Sequence, residues 1–294
     1  MPAWSTSVAG HLRGAAAAIL RGRGRYFDSA GVRIRYFEQG AGEAVVLIHG
    51  FTRSAATWVA AGFTADLARD HRVIALDCRG HGQSGKPADP TAYGSRMADD
   101  VIRLLDRLNV DVAQVVGHSM GGRIALRLAA SRPDRVRSAV LVASGGTFIP
   151  RAGEADPMPI ETVARSLESG GGFGPFFKAI LPPERPLSRW RLRLLDLAVA
   201  ATNDTRVLAA VARGYAGLTV TDAELATLPM SVSVVVGSAD PYQTAVTALA
   251  RRVPGMQLVV VEGASHLDVL RRPEARLAVR QFLAAGRNER RRAA

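Results

Sequence analysis

Cysteine is all but missing: Cys78 is the only one among 294 residues. An intramolecular disulfide is therefore excluded, as is any metal site built on several thiolates. A lone thiol favours a reducing, cytoplasmic compartment and reads as a small buried hydrophobe. Lysine is nearly as scarce, with only Lys86 and Lys178 among the 38 basic residues. No apolar run approaches the roughly 20 residues that a membrane-spanning helix needs. Aromatics make up 6% of the chain, and none are interleaved with basic residues in a stripe. That absence weighs against a nucleic-acid partner despite a formal charge of +12.

The charge sits at the ends. Residues 1–25 carry four arginines and no acid, and residues 286–294 carry four arginines and one glutamate. These tails support weak peripheral contact with an anionic membrane surface and little else. In the N-terminal extension (1–25), Val8, Leu12, Ala15, Ala16 and Ile19 form a weak helical stripe. Its arginines mostly follow the AAAAIL run, the reverse of a secretory signal. The basic tail (286–294) reads as frayed.

Between the tails, buried-strand patterns recur at Ala44–Ile48, Val73–Leu76, Val112–Val116, Ala139–Val142, Val232–Val236 and Leu258–Val261, after a hairpin over 26–37. Helical patterns separate most of them, at Trp58–Arg69, Arg96–Leu108, Ile124–Ser131 and Thr244–Arg252. The alternation predicts an α/β fold, a mostly parallel central sheet with helices on both faces. One interval breaks the rhythm: about ninety residues without a comparable strand, Pro-, Gly- and Phe-rich early and helical from Leu187 to Tyr215. We read 146–229 as a helical cap inserted into a core formed by 26–145 and 230–285.

The chemistry-bearing stretch is Gly117-His118-Ser119-Met120-Gly121, between an apolar strand and a helix. The bare G-x-S-x-G pattern is weak, but a serine at a strand-to-helix turn is the arrangement of a nucleophile elbow. A serine hydroxyl needs a base and a group to orient that base. His266 (in Glu262-Gly263-Ala264-Ser265-His266) and Asp240 (in Gly237-Ser238-Ala239-Asp240-Pro241) each follow a buried strand. The chain order Ser119, Asp240, His266 is the one that accompanies such an elbow. Asp268 lies too close in sequence to His266 to serve. The backbone N–H groups of Phe51, after the strand AVVLI, and of Met120 are candidates for an oxyanion hole.

With VVLIHGF (45–51), DCRGHGQSGKP (77–87), VVGHSMGG (115–122), VVVGSADP (234–241) and EGASH (262–266) in order, the chain resembles a capped, esterase-like serine hydrolase of the α/β-hydrolase superfamily. The resemblance implies an acyl-enzyme on Ser119 and a structural role for Asp77, Arg79, His81 and Ser84. Ser119, where related dehalogenases and epoxide hydrolases carry aspartate, argues against those activities. No cofactor and no metal are implied. Trp58, Phe148, Phe173, Phe176, Phe177 and Trp190 are candidates for an apolar substrate pocket fit for a small to medium ester. The cap's nine basic and nine acidic residues give no net reason for an anionic substrate. Arg185, Arg189, Arg191 and Arg193 offer local carboxylate partners. Hydrolysis of a carbon–carbon bond in a diketone is the alternative reaction, and a non-catalytic binding protein the alternative class.

Overall fold

The computed structural model describes residues 24–145, 159–182, 184 and 187–293, with side chains as far as 285. Eight strands form one sheet: β1 Arg25–Ser29, β2 Val32–Gln39, β3 Glu43–Ile48, β4 His71–Leu76, β5 Ala113–His118, β6 Val136–Val142, β7 Ser231–Gly237 and β8 Gln257–Val261. Their spatial order is β1-β2-β4-β3-β5-β6-β7-β8. The pairings β1–β2 and β2–β4 are antiparallel, and all others are parallel.

The central strands read as unbroken apolar runs because both of their faces are covered. In β3, Val46 and Ile48 enter one hydrophobic core while Val45 and Leu47 enter the other. The first core lies under helices Ser95–Arg107, Met120–Ser131 and Gln243–Arg252, and the second under Ala56–Ala60, Phe63–Leu67 and Pro273–Ala293. In helix Ser95–Arg107 the buried set Met97, Val101, Leu104 and Leu105 recurs every three or four residues, the stripe that seats a helix on a sheet. At the far edge, Leu258 and Val260 of β8 are exposed.

Three local expectations need correction. The helix expected over Trp58–Arg69 is two short helices, because Gly62 turns left-handed (φ 79°) between them. The early part of the insertion is helical as well, at Ile160–Glu168 and Gly174–Ile180, where Val163 and Leu167 bury one face. The C-terminal segment expected to fray continues helix Pro273–Ala293. Arginine, glutamate and alanine are good helix formers, and arginines suit a helix C-terminus.

Helices Ile160–Glu168, Gly174–Ile180, Arg189–Ala200, Thr205–Gly214 and Asp222–Ala226 lie between β6 and β7 in sequence. The Asp196 carboxylate accepts from Phe173 N at 2.5 Å. Arg213 bridges Glu161 and Glu168, at 2.8 Å to each. The first 23 residues, and with them the Val8–Ile19 stripe, lie outside the described residues. No described helix is long and apolar enough to cross a membrane.

Candidate active site

Parallel strands deliver three loops to one edge of the sheet. Ser119 follows β5, Asp240 follows β7 and His266 follows β8. Ser119 has φ 52° and ψ −113°, outside the regions a serine favours. The chain passes through so tight a turn because Gly117 and Gly121 have no side chains. A Cβ on Gly121 would strike the Ile48 carbonyl, and one on Gly117 would strike the backbone of Gly121. Ser119 N–H, meanwhile, donates to Val142 O at 2.9 Å.

His266 Nε2 lies 3.0 Å from Ser119 Oγ. Its Nδ1 lies 3.0 Å from Asp240 Oδ2 and 3.3 Å from Oδ1. Asp240 and His266 are both buried, and Asp240 Oδ1 also accepts from Tyr242 N at 2.9 Å. Such a chain can take the serine proton on Nε2 while the carboxylate holds the imidazole in the tautomer required. Asp268 is engaged elsewhere: it accepts from Ser265 N at 2.6 Å and pairs with Arg272 at 2.8 Å.

Phe51 and Met120 line the cavity at Ser119. Met120 begins helix Met120–Ser131, so its N–H precedes the helix's internal hydrogen bonds. His49 Nε2 accepts from Cys78 N at 3.0 Å, and His49 Nδ1 donates to Gly50 O at 2.8 Å, bracing the loop that carries Phe51. Burial lowers the pKa of His49 to about 4 and of His81 to about 3, and drives His118 well below the ordinary histidine value. All three are neutral at pH 7.

Asp77 accepts from Ala55 N at 2.8 Å and Gln83 N at 3.0 Å, and Ser84 Oγ donates to Asp77 O at 2.6 Å. Arg79 is bound into a carboxylate pair with Asp100. His81 Nδ1 donates to Arg79 O at 3.0 Å. These four knit the loop after β4.

The aromatic candidates scatter. Phe176 packs edge-on to Phe51, ring centroids 5.2 Å apart, and so sits one layer behind the cavity. Phe173 and Phe177 are core residues. Trp58 is fully buried in the second core against Phe63, so it cannot line the cavity as expected. Trp190 is 61% exposed, on a helix whose inner side is taken by Leu192, Leu195 and Val199. Arg189, Arg191 and Arg193 are exposed too, and none lines the cavity. Phe148 and Arg185 lie outside the described residues. The cavity is instead lined by Phe51, Ser119, Met120, Arg123, Ser144 and Tyr215, with Ala143, Gly145, Tyr242 and His266. Sequence reasoning missed Arg123, Ser144, Tyr215 and Tyr242. Arg123 alone had a legible signal, standing one helical turn after the serine.

The α/β hydrolase fold profile matches residues 43–168. The 2-hydroxymuconate semialdehyde hydrolase of Pseudomonas putida is 30% identical over 289 residues, spanning 89% of this chain and 94% of that one. The chain belongs to the α/β-hydrolase fold family. Other curated relatives are matched over part of their length only. The dihydrolipoyllysine-residue acetyltransferase component of the acetoin cleaving system of Cupriavidus necator is 42% identical over 124 residues, 42% of this chain but 32% of that protein. Among solved structures, Est816, described as an N-acyl homoserine lactone degrading enzyme, superposes with a TM-score of 0.70 at 27% identity. That match covers 88% of this chain and all of Est816. The hydrolases among these relatives mark this member of the family as a hydrolase.

Proposed function

We propose that the chain is a serine hydrolase cleaving a small to medium carboxylic ester through an acyl-enzyme. The observation that carries this reading is the chain of contacts from Asp240 to His266 to Ser119, at 3.0 Å for each link. Ser119 Oγ attacks the carbonyl carbon as His266 Nε2 takes the hydroxyl proton. The N–H groups of Phe51 and Met120 hold the oxyanion. His266 returns the proton to the departing alkoxide, and a water then attacks the acyl-enzyme by the same route. The likeness to Est816, which degrades an N-acyl homoserine lactone, and the apolar ring of Phe51 at the cavity support an ester or lactone carbonyl. A single buried, unpaired cysteine fits a cytoplasmic setting.

A second reading has its own support. The Pseudomonas putida relative matched over 94% of its length is named for hydrolysis of 2-hydroxymuconate semialdehyde. Carbon–carbon cleavage of such a substrate would use the same three residues.

Labelling with a fluorophosphonate tests the common step. A covalent adduct on Ser119 that is lost in Ser119→Ala is the expected result, and its absence would favour a non-catalytic binding protein. A panel of p-nitrophenyl esters beside a vinylogous diketone then separates the two reactions.

A further inference from the structure

Arg123 stands four residues after Ser119 on the same helix, its N–H donating to Ser119 O at 3.3 Å. One helical turn places it about 5–6 Å along the axis from the serine. Its side chain lines the catalytic cavity, and its guanidinium carbon lies 5.4 Å from the centre of the Tyr215 ring. No lining residue is an acid, and among the described residues Arg123 has no ion-pair partner. Arg123 is half-buried, so a carboxylate entering the cavity would meet a guanidinium not already paired with an acid.

A second, independent observation points the same way. Ser144, only 4% exposed, lines the same cavity, and its hydroxyl has no hydrogen-bond partner among the described residues. It packs so tightly beside Gly122, the neighbour of Arg123, that a Cβ there would strike the Ser144 side chain. A buried hydroxyl left unpaired costs stability, and a ligand oxygen would satisfy it. A guanidinium and a hydroxyl donor among the residues lining one cavity are a donor set suited to a carboxylate.

We propose that Arg123 and Ser144 form an anion subsite, and that the substrate carries a carboxylate a few bonds from the carbonyl that Ser119 attacks. This rests on the reading of Ser119 as nucleophile and deepens it by naming the substrate class: the half-ester or related acyl derivative of a short dicarboxylic acid. The cavity itself measures about 20 Å³, room for a water, so its lining must draw apart to admit the acyl chain. The expectation of a mostly apolar pocket becomes one with an apolar wall at Phe51 and a cationic end at Arg123.

The experiment compares 4-nitrophenyl hemiglutarate with 4-nitrophenyl pentanoate, esters of equal acyl length differing in the terminal carboxylate. The wild type favours the hemiglutarate in kcat/KM. Arg123→Gln loses about tenfold to a hundredfold on the hemiglutarate, mainly through KM, the range of a charge-assisted hydrogen bond. Its loss on the pentanoate is several-fold smaller, Arg123→Lys retains part of the preference, and Ser144→Ala loses less than Arg123→Gln. Equal wild-type rates on the two esters, or an equal loss on both in Arg123→Gln, overturns the proposal. Glutarate binding to Ser119→Ala, measured by calorimetry, separates this from failure of the hydrolase reading. Were neither ester cleaved, binding that Arg123→Gln abolishes would sustain the subsite and remove the hydrolysis; no binding of glutarate would remove the subsite.

Discussion

His266 Nε2 meets Ser119 Oγ at 3.0 Å across 147 residues of sequence. The contact exists because β5, β7 and β8 run parallel and release their loops at one edge. β6 lies between β5 and β7, so the His266 loop must reach back towards the serine. Tyr242, with its ring centroid 5.3 Å from that of His266, packs on the imidazole from the β7 side.

Removing any link of this chain should abolish turnover while leaving the fold intact. Ser119→Ala and His266→Ala should each lower kcat for a p-nitrophenyl ester by several orders of magnitude, because the members act as a unit. Asp240→Asn should cost about four orders of magnitude through the wrong imidazole tautomer. Near-wild-type turnover in Asp240→Asn would send the search to another carboxylate.

The hairpin, the parallel strands and the order Ser119, Asp240, His266 were legible because each rests on local patterning: alternation, apolar runs and the residues that end them. The pocket was not. Which aromatic faces a cavity depends on how helices between β6 and β7 pack, and composition carries no such information. Trp58 and Trp190 show the two ways of failing: one is consumed by the second core beneath the sheet, the other stands outside. The split at Gly62 was missed because an apolar stripe can continue across a left-handed glycine. Arg123 was within reach, since residues four apart on a helix share a face, but whether its side chain meets the cavity depends on the packing of Tyr215 against that helix.

Gly121 should be intolerant of any side chain. Its Cβ would collide with the carbonyl of Ile48 on β3 and come within 2.8 Å of His49 O, both backbone and unable to swing away. Gly121→Ala should therefore cost about 1–3 kcal/mol of stability, the usual range for overpacking a filled site. It should also reduce labelling of Ser119 by fluorophosphonate, since the elbow and the oxyanion loop must separate. Unchanged urea midpoint and labelling rate would show that the approach of helix and strand is looser than the geometry requires.

Stability should fall with acid before the carboxylates titrate. His49 and His81 have folded-state values of about 4 and about 3, against 6.5 for a free side chain, and His118 is lowered too. The unfolded chain thus binds protons that the folded chain refuses. The penalty is absent well above pH 6.5, grows as pH drops below it, and levels off only below the folded values. Each such group contributes about 1.4 kcal/mol per pH unit inside its window. Urea midpoints measured from pH 7.5 to 5 should decline steeply, and less steeply in His81→Gln. A flat profile over that range would mean these rings gain their protons without unfolding.

The strongest test of the scaffold is the ion pair buried behind the loop after β4. Arg79 Nε and Nη2 donate to the two oxygens of Asp100 at 2.7 and 2.5 Å, Nη1 donates to Ala92 O at 2.6 Å, and Ser29 Oγ adds a bond to Asp100 at 2.5 Å. Both side chains are almost wholly buried. Burial raises the Asp100 carboxyl above its ordinary value, opposed by the hydrogen bonds and charge of Arg79. Neutralising one partner leaves the other charged and dry. Asp100→Asn should therefore cost about 3–5 kcal/mol, far more than the pair contributes over an apolar replacement. For a chain of this size that lowers Tm by about 10 °C. The double variant Arg79→Met with Asp100→Leu should recover much of the loss, since neither buried charge remains. Calorimetry on the three proteins decides it: a double variant as unstable as Asp100→Asn would mean that the bonds to Ala92 O and Ser29, not the unpaired charge, hold β1 and the loop against helix Ser95–Arg107.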